Sequence, residues 1–212
     1  MQLFDLHCDT LYECFETGQG LRRNTLCIDR DKTAGYDMYT QVFALFCGAR
    51  PPAPVPGRRS LLDLPPEERL GALLETAQRE FSANADWLML CRDMDDWAWA
   101  KDHGRRAAFL SIEGAELLDY PGGLEQAYDA GVRLVTLAWN GRNAFACGAA
   151  TDNDAGLTDR GRALVRELVR RNMVVDVSHL SEAGFGMSAW RPRRRLPRPT
   201  PTAGRAVSIC AI

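Results

Sequence analysis

Three apolar, strand-like runs of this chain end in residues of the kind that bind metal ions, and this constrains the fold more than any bulk property does. They are Leu3-Phe4-Asp5-Leu6-His7-Cys8-Asp9, Ala107-Ala108-Phe109-Leu110-Ser111-Ile112-Glu113 and Met173-Val174-Val175-Asp176-Val177-Ser178-His179. Side chains alternate along a strand with period two, so His7 and Asp9 point to the same side. An imidazole nitrogen and a carboxylate oxygen so placed can clasp one ion, and both suit zinc. In a parallel barrel the carboxyl ends of the strands converge on one mouth, where active sites are built. Taken singly, His7 reads as a core histidine, Asp9 as a helix cap, Glu113 as a solvated loop carboxylate and His179 as a neighbour of a cap. As a set they read as one site, because buried charges are costly unless paired or bound to metal. The three strands are expected to be buried.

The rest of the chain alternates in the same way. After the first strand the pattern predicts a short helix over 10–17, a polar loop over 20–37 and a second strand over Tyr39–Phe46. An exposed loop over Gly48–Pro56 holds four prolines. Pro65, Pro66, Glu67 and Glu68 open a helix continued by Leu70, Leu73, Leu74, Ala77 and Phe81. A helix over Asp93–His103 precedes the strand that ends at Glu113. A helix over 122–130 and a fourth strand over Val132–Trp139 follow. Thr158 is placed to cap a helix that runs to about Arg171, before the fifth strand. Alternating strands and helices predict an α/β fold with a parallel sheet. The order is that of a (β/α)₈ TIM-type barrel, a fold of about 250 residues. Only the first five β/α units are expected, over residues 1–185.

Composition limits the function classes. The chain has 212 residues, 46% hydrophobic and 25% charged, with a formal net charge of −2, which gives no general reason to expect nucleic acid. Its seven cysteines are scattered, with no Cys-x-x-Cys pair, as in a reduced, cytoplasmic protein. No uninterrupted apolar run approaches the roughly 20 residues that span a bilayer.

Five stretches resemble the zinc-dependent membrane (renal) dipeptidase family, in its bacterial branch, within the amidohydrolase superfamily. They are Asp5-Leu-His-Cys-Asp-Thr-Leu, Ser111-Ile-Glu-Gly-Ala-Glu, Gly131-Val-Arg-Leu-Val-Thr-Leu-Ala-Trp-Asn, Gly156-Leu-Thr-Asp-Arg-Gly and Val175-Asp-Val-Ser-His-Leu-Ser. They stand in family order over about residues 1–185, and His-x-Asp, where most amidohydrolases have His-x-His, is a family mark. The resemblance implies a metal-dependent hydrolase barrel with two zinc ions that cleaves dipeptides, often with a D-residue on the carboxyl side. It assigns His7 and Asp9 to one zinc, Glu113 as the bridge and His179 to the other, with Trp139 and Asn140 on the substrate side. The expected partner is a dipeptide, with a homodimer allowed and neither nucleic acid nor membrane required.

The end of the chain departs from the family. The family continues with a His-Ser-Asn-x-Arg segment, a later His-x-Arg-Asn and a late aspartate, which supply a zinc ligand, a substrate-carboxylate arginine and an acid/base group. Here no histidine follows His179 and no aspartate follows Asp176. Residues 186–212 instead carry six arginines, among prolines and without an acid. Three readings of this tail are a solvated, disordered segment, an arm for nucleic acid or an anionic surface as the minority reading for want of interleaved aromatics, and a shifted reading frame; a one-base slip lets Pro199–Arg205 spell Thr-His-Ser-Asn-Cys-Arg. The expectation is therefore a dipeptidase impaired by the loss of its later site residues. The alternatives are a non-catalytic metal-binding or interaction protein, and another amidohydrolase such as a deaminase or lactonase.

Overall fold

The structure, a computed structural model, describes residues 1–48 and 55–188. The Arg/Pro-rich tail lies almost wholly outside the described residues, as does most of the proline loop. The chain divides into two compact units, Met1–Val135 and Thr136 onward.

The first unit opens with strand β1 (Gln2–Cys8), helix α1 (Thr10–Thr17) and a one-turn helix α2 (Arg30–Thr33) within the expected polar loop. Strand β2 (Met38–Phe46), helix α3 (Pro66–Ala83), strand β3 (Leu88–Leu90), helix α4 (Met94–Asp102) and strand β4 (Arg106–Glu113) follow. Helix α5 (Gly123–Asp129) leads to strand β5 (Val132–Thr136), whose last residue opens the second unit. The strands order β1-β2-β4-β5, with β3 beside β4. The β1–β2, β2–β4 and β3–β4 ladders are all parallel.

β2 and β4 are buried along almost their whole length, as mainly apolar strands covered on both faces should be. On α3 the stripe Leu70, Leu73, Ala77 and Phe81 is buried, and the side chain of Asp93 caps α4 by accepting from Asp95 N and Asp96 N. Within the sheet Met38, Val42, Ala107 and Phe109 pack in one cluster with Cys91 and Ala100.

Three expectations need correction. β1 is not buried: Leu3, Phe4 and Leu6 are 37%, 45% and 36% exposed. Among the described residues β1 is at the end of the sheet order, so only one strand covers it. The strand expected to reach Trp139 stops at Thr136, where the chain turns into a loop. β3 was not expected at all, because three residues are too few to show a period.

The second unit holds helix α6 (Asp159–Arg170), strand β6 (Val174–Asp176) and helix α7 (Glu182–Ser188). Thr158 Oγ1 accepts from Gly161 N, so the predicted cap of α6 is formed. β6 is a three-residue core of the longer predicted strand. Between β5 and α6 the loop is pinned by antiparallel bridges Arg142↔Cys147, Ala146↔Leu157 and Gly148↔Leu180. No helix among the described residues is long and apolar enough to cross a membrane.

Candidate metal centre

His7, Asp9 and Glu113 come together at the carboxyl ends of β1 and β4. Their ligand atoms lie within 4.8 Å of one another. His7 Nε2 is 3.4 Å from Asp9 Oδ1 and 3.5 Å from Glu113 Oε2. Glu113 forms the floor, with a side chain 6% exposed, and Asp9 the rim, at 46%.

A β-bulge aims His7. The β1–β2 register runs evenly from Gln2↔Met38 to Asp5↔Gln41 and then slips, with Cys8 opposite Phe43. Phe4 and His7 are three residues apart, and a regular strand would put them on opposite faces. Yet Phe4 stacks on Phe109, at 5.9 Å between ring centroids, while His7 faces Glu113. Phe109 and Glu113 share a face of β4, so the bulge turns Phe4 and His7 to the same side. Asp5 supports the bulge: its Oδ1 accepts from His7 N at 3.3 Å, and its carbonyl accepts from Gln41 Nε2 at 3.4 Å. Cys8, between the two ligand residues, is a packed neutral side chain, its thiol pushed up to about 12 chiefly by burial.

The donor set fits a cation. Asp9 Oδ1 is buried and makes no hydrogen bond. An orphaned buried oxygen is costly unless something satisfies it. Two ligands held at about 2.1 Å by one tetrahedral zinc are roughly 3.4 Å apart, which is the spacing of the His7–Asp9 and His7–Glu113 pairs. One imidazole and two carboxylates suit zinc and its neighbours among divalent ions.

The other predicted residues, His179, Trp139 and Asn140, lie in the second unit and meet there. His179 Nδ1 is 3.1 Å from Asn140 Oδ1, and the Trp139 and His179 ring centroids are 6.4 Å apart. His179 sits in a turn closed by Leu180 N donating to Val177 O at 3.1 Å, with φ +61°, a left-handed conformation uncommon for a side-chain-bearing residue. Its carbonyl accepts from Ala149 N at 2.8 Å.

Sequence reasoning missed what holds this turn. Asp176 accepts from Thr136 Oγ1 (2.7 Å), Ser178 N (2.9 Å) and Ser178 Oγ (2.8 Å). Asp154 accepts from Ser181 Oγ (2.5 Å), Ala183 N (2.9 Å) and Gly156 N (2.9 Å), and these bonds hold its carboxyl below the usual range. The Asp-x-Ser spelling at 176–178 is a local turn signal that could have been read. Gly148 lies so close to the Trp139 and Asn140 carbonyls that a Cβ there would collide with backbone.

A parallel α/β sheet here gathers a histidine and two carboxylates, a group that could hold a metal ion, at its strand ends. Residues 1–188 match the membrane dipeptidase family (peptidase family M19), and the chain belongs to that family. An uncharacterised dipeptidase of Schizosaccharomyces pombe is 44% identical over 77 residues, which is 34% of this chain and 19% of that protein. A protein encoded in a PQQ-III 3′ region of Acinetobacter calcoaceticus is 30% identical over 105 residues, 46% of this chain and 33% of its own. Among solved structures, the dipeptidase AC, a family M19 metallo peptidase, superposes with a TM-score of 0.71 at 24% identity, over 89% of this chain and 60% of that one. A Rhodobacter sphaeroides metallo peptidase, liganded with a phosphinate mimic of the dipeptide L-Ala-D-Ala, gives a TM-score of 0.68 at 24% identity, over 89% of this chain and 62% of its own. These likenesses show the fold, a parallel-strand half-barrel of TIM type. The chain spans a third or less of the length of those two curated relatives.

Proposed function

We propose that this chain is the metal-binding portion of a zinc-dependent dipeptidase, with His7 and Asp9 on one zinc, Glu113 shared between two, and His179 on the second. The observation that carries this reading is the His7–Asp9–Glu113 cluster with its orphaned Asp9 oxygen, in a chain of the membrane dipeptidase family. Bound zinc supplies Lewis acidity and lowers the pKa of nearby water toward neutrality. The chain's own part is positioning. Glu113 offers its carboxylate from the floor, and the bulge in β1 turns His7 toward it. Trp139 and Asn140 stand on the substrate side. The substrate is a dipeptide with a D-residue on the carboxyl side, a class supported by the mimic bound to the Rhodobacter sphaeroides relative.

We further infer that the 212-residue chain by itself is a poor catalyst, because no histidine follows His179 and no aspartate follows Asp176. Losing an acid/base group alone typically costs roughly 10²–10⁴-fold. The test is zinc titration of the purified chain, with hydrolysis of a panel of L-L and L-D dipeptides. A second protein, expressed from a coding sequence corrected by one base near codon 186, is assayed beside it. Saturable zinc binding lost in His7→Gln, weak hydrolysis by the chain and restored hydrolysis by the frame-corrected protein are expected. Zinc bound with no hydrolysis by either protein favours a non-catalytic metal-binding protein. No zinc bound by the wild-type chain sinks the reading.

A further inference from the structure

The geometry points to Asn140 as a positioning residue for His179: its carboxamide oxygen holds the imidazole in the tautomer protonated on Nδ1, so that Nε2 carries the lone pair a metal ion needs. This rests on the reading of His179 as a ligand.

Asn140 Oδ1 lies 3.1 Å from His179 Nδ1, and a carboxamide oxygen can only accept. The imidazole nitrogen facing it must therefore donate. In a neutral ring with Nδ1 protonated, Nε2 is the nitrogen with an available lone pair. Metal-bound histidines commonly donate their other N–H to an oxygen, which fixes both tautomer and ring orientation.

The backbone around the pair is built to keep it. His179 is held at φ +61° by the Val177–Leu180 turn and by Ala149 N, which donates to its carbonyl at 2.8 Å. A side-chain-bearing residue rarely adopts that conformation and persists in it only where its surroundings impose it. On the other side Ala150 N donates to Asn140 O at 3.0 Å and Gly148 N to Gly141 O at 2.8 Å. Ala149 and Ala150 are adjacent, so one short segment grips the backbones of both partners. Asn140 and His179 side chains are both exposed, so neither is needed to fill a core.

The experiment uses the full chain, metal-free at pH 8, where an ordinary imidazole is neutral, with ¹⁵N-labelled histidine. The chain has three histidines, so His179→Gln assigns the resonances directly. Imidazole ¹⁵N shifts report the tautomer without any metal. The wild type is expected to show His179 protonated on Nδ1. Asn140→Asp, which keeps an acceptor oxygen, should retain that state, and Asn140→Leu should lose it. Zinc titration follows. Asn140→Leu should weaken the step that His179→Gln abolishes by about 10–100-fold, as loss of such an outer partner does, while Asn140→Asp stays near wild type. A wild-type His179 protonated on Nε2, or an unchanged tautomer in Asn140→Leu, overturns the positioning role. A zinc titration unchanged by His179→Gln overturns instead the ligand reading on which it rests, and the tautomer data tell the two failures apart.

Discussion

Replacing Glu113 by Gln separates a metal-site carboxylate from a structural one. The substitution keeps shape and volume and removes one negative charge from the floor of the cluster. In the metal-free protein Glu113 and Asp9 offer oxygens within 4.8 Å of each other, with His7 Nε2 3.4–3.5 Å from both. Two like charges at that separation and an effective dielectric near 20 repel by about 3 kcal/mol. Solvent at the half-exposed Asp9 and the nearby imidazole reduce this to on the order of 1 kcal/mol. Metal-free Glu113→Gln should therefore be as stable as wild type or slightly more so. With zinc the order reverses. A ligand at 100 times its dissociation constant stabilises by about 2.7 kcal/mol, which for a chain of this size raises Tm by roughly 5–11 °C. The variant should lose most of that rise. The assay is thermal unfolding of both proteins, with excess chelator and with graded zinc. If metal-free Glu113→Gln were destabilised by 3 kcal/mol or more, Glu113 would be one half of a structural buried pair, since breaking such a pair costs about 3–5 kcal/mol. If it kept the full zinc-induced shift, the cluster would not be the metal site.

The second unit gives three further expectations. His179→Gly should be more stable than His179→Ala by about 1 kcal/mol in denaturant unfolding, because only glycine escapes the left-handed penalty at φ +61°, while both lose the imidazole. Gly148→Ala should destabilise by about 1–3 kcal/mol and shift Trp139 fluorescence, since its methyl group meets the Trp139 and Asn140 carbonyls. Asp154 has its carboxyl held below the ordinary 3.8 by Ser181 and by the Ala183 and Gly156 amides. Its contribution is fully present above that ordinary value and is lost as pH falls through the depressed one. Asp154→Asn should therefore be the less stable protein at neutral pH, with the gap closing as acid protonates the wild-type carboxyl; a constant gap from pH 6 to pH 2 would refute this.

What was legible in the sequence had a period or a fixed local chemistry behind it. Period two put His7 and Asp9 on one side, and Glu113 was marked by a mostly apolar strand ending in a carboxylate. Thr158 was legible as a cap because its side chain satisfies the helix N–H three positions on, whereas Asp93, read as the first residue of its helix, is the cap of α4. The bulge was not legible. A slip of register between Asp5 and Cys8 depends on pairing with β2, and nothing in Asp-Leu-His-Cys announces it. The exposure of β1 was hidden for a related reason: Leu3, Phe4 and Leu6 read as core from composition, and whether a strand has one neighbour or two is a property of the sheet. Asn140 was legible as part of a family motif, but its hydrogen bond to His179 spans 39 positions and comes from the folded loop.

The position of the cluster in the sheet would give a bound ion a second consequence. His7 belongs to β1, Asp9 follows it directly and Glu113 ends β4, while β2 lies between the two strands. An ion held by all three therefore ties β1 to β4 across the intervening strand. Among the described residues β1 is at the end of the sheet order, with three large apolar side chains exposed, so such a tie would add to its pairing with β2. Metal affinity in such a site would not be separable from folding, because the ligands must be brought together by the folded sheet before they bind. The coupling also works in reverse: each kcal/mol of binding free energy drawn from His7 and Asp9 stabilises the pairing of β1 with β2. With an ion bound, the bulge would have a double role, since it turns His7 toward Glu113 and marks the place where strand order and metal binding would become one equilibrium.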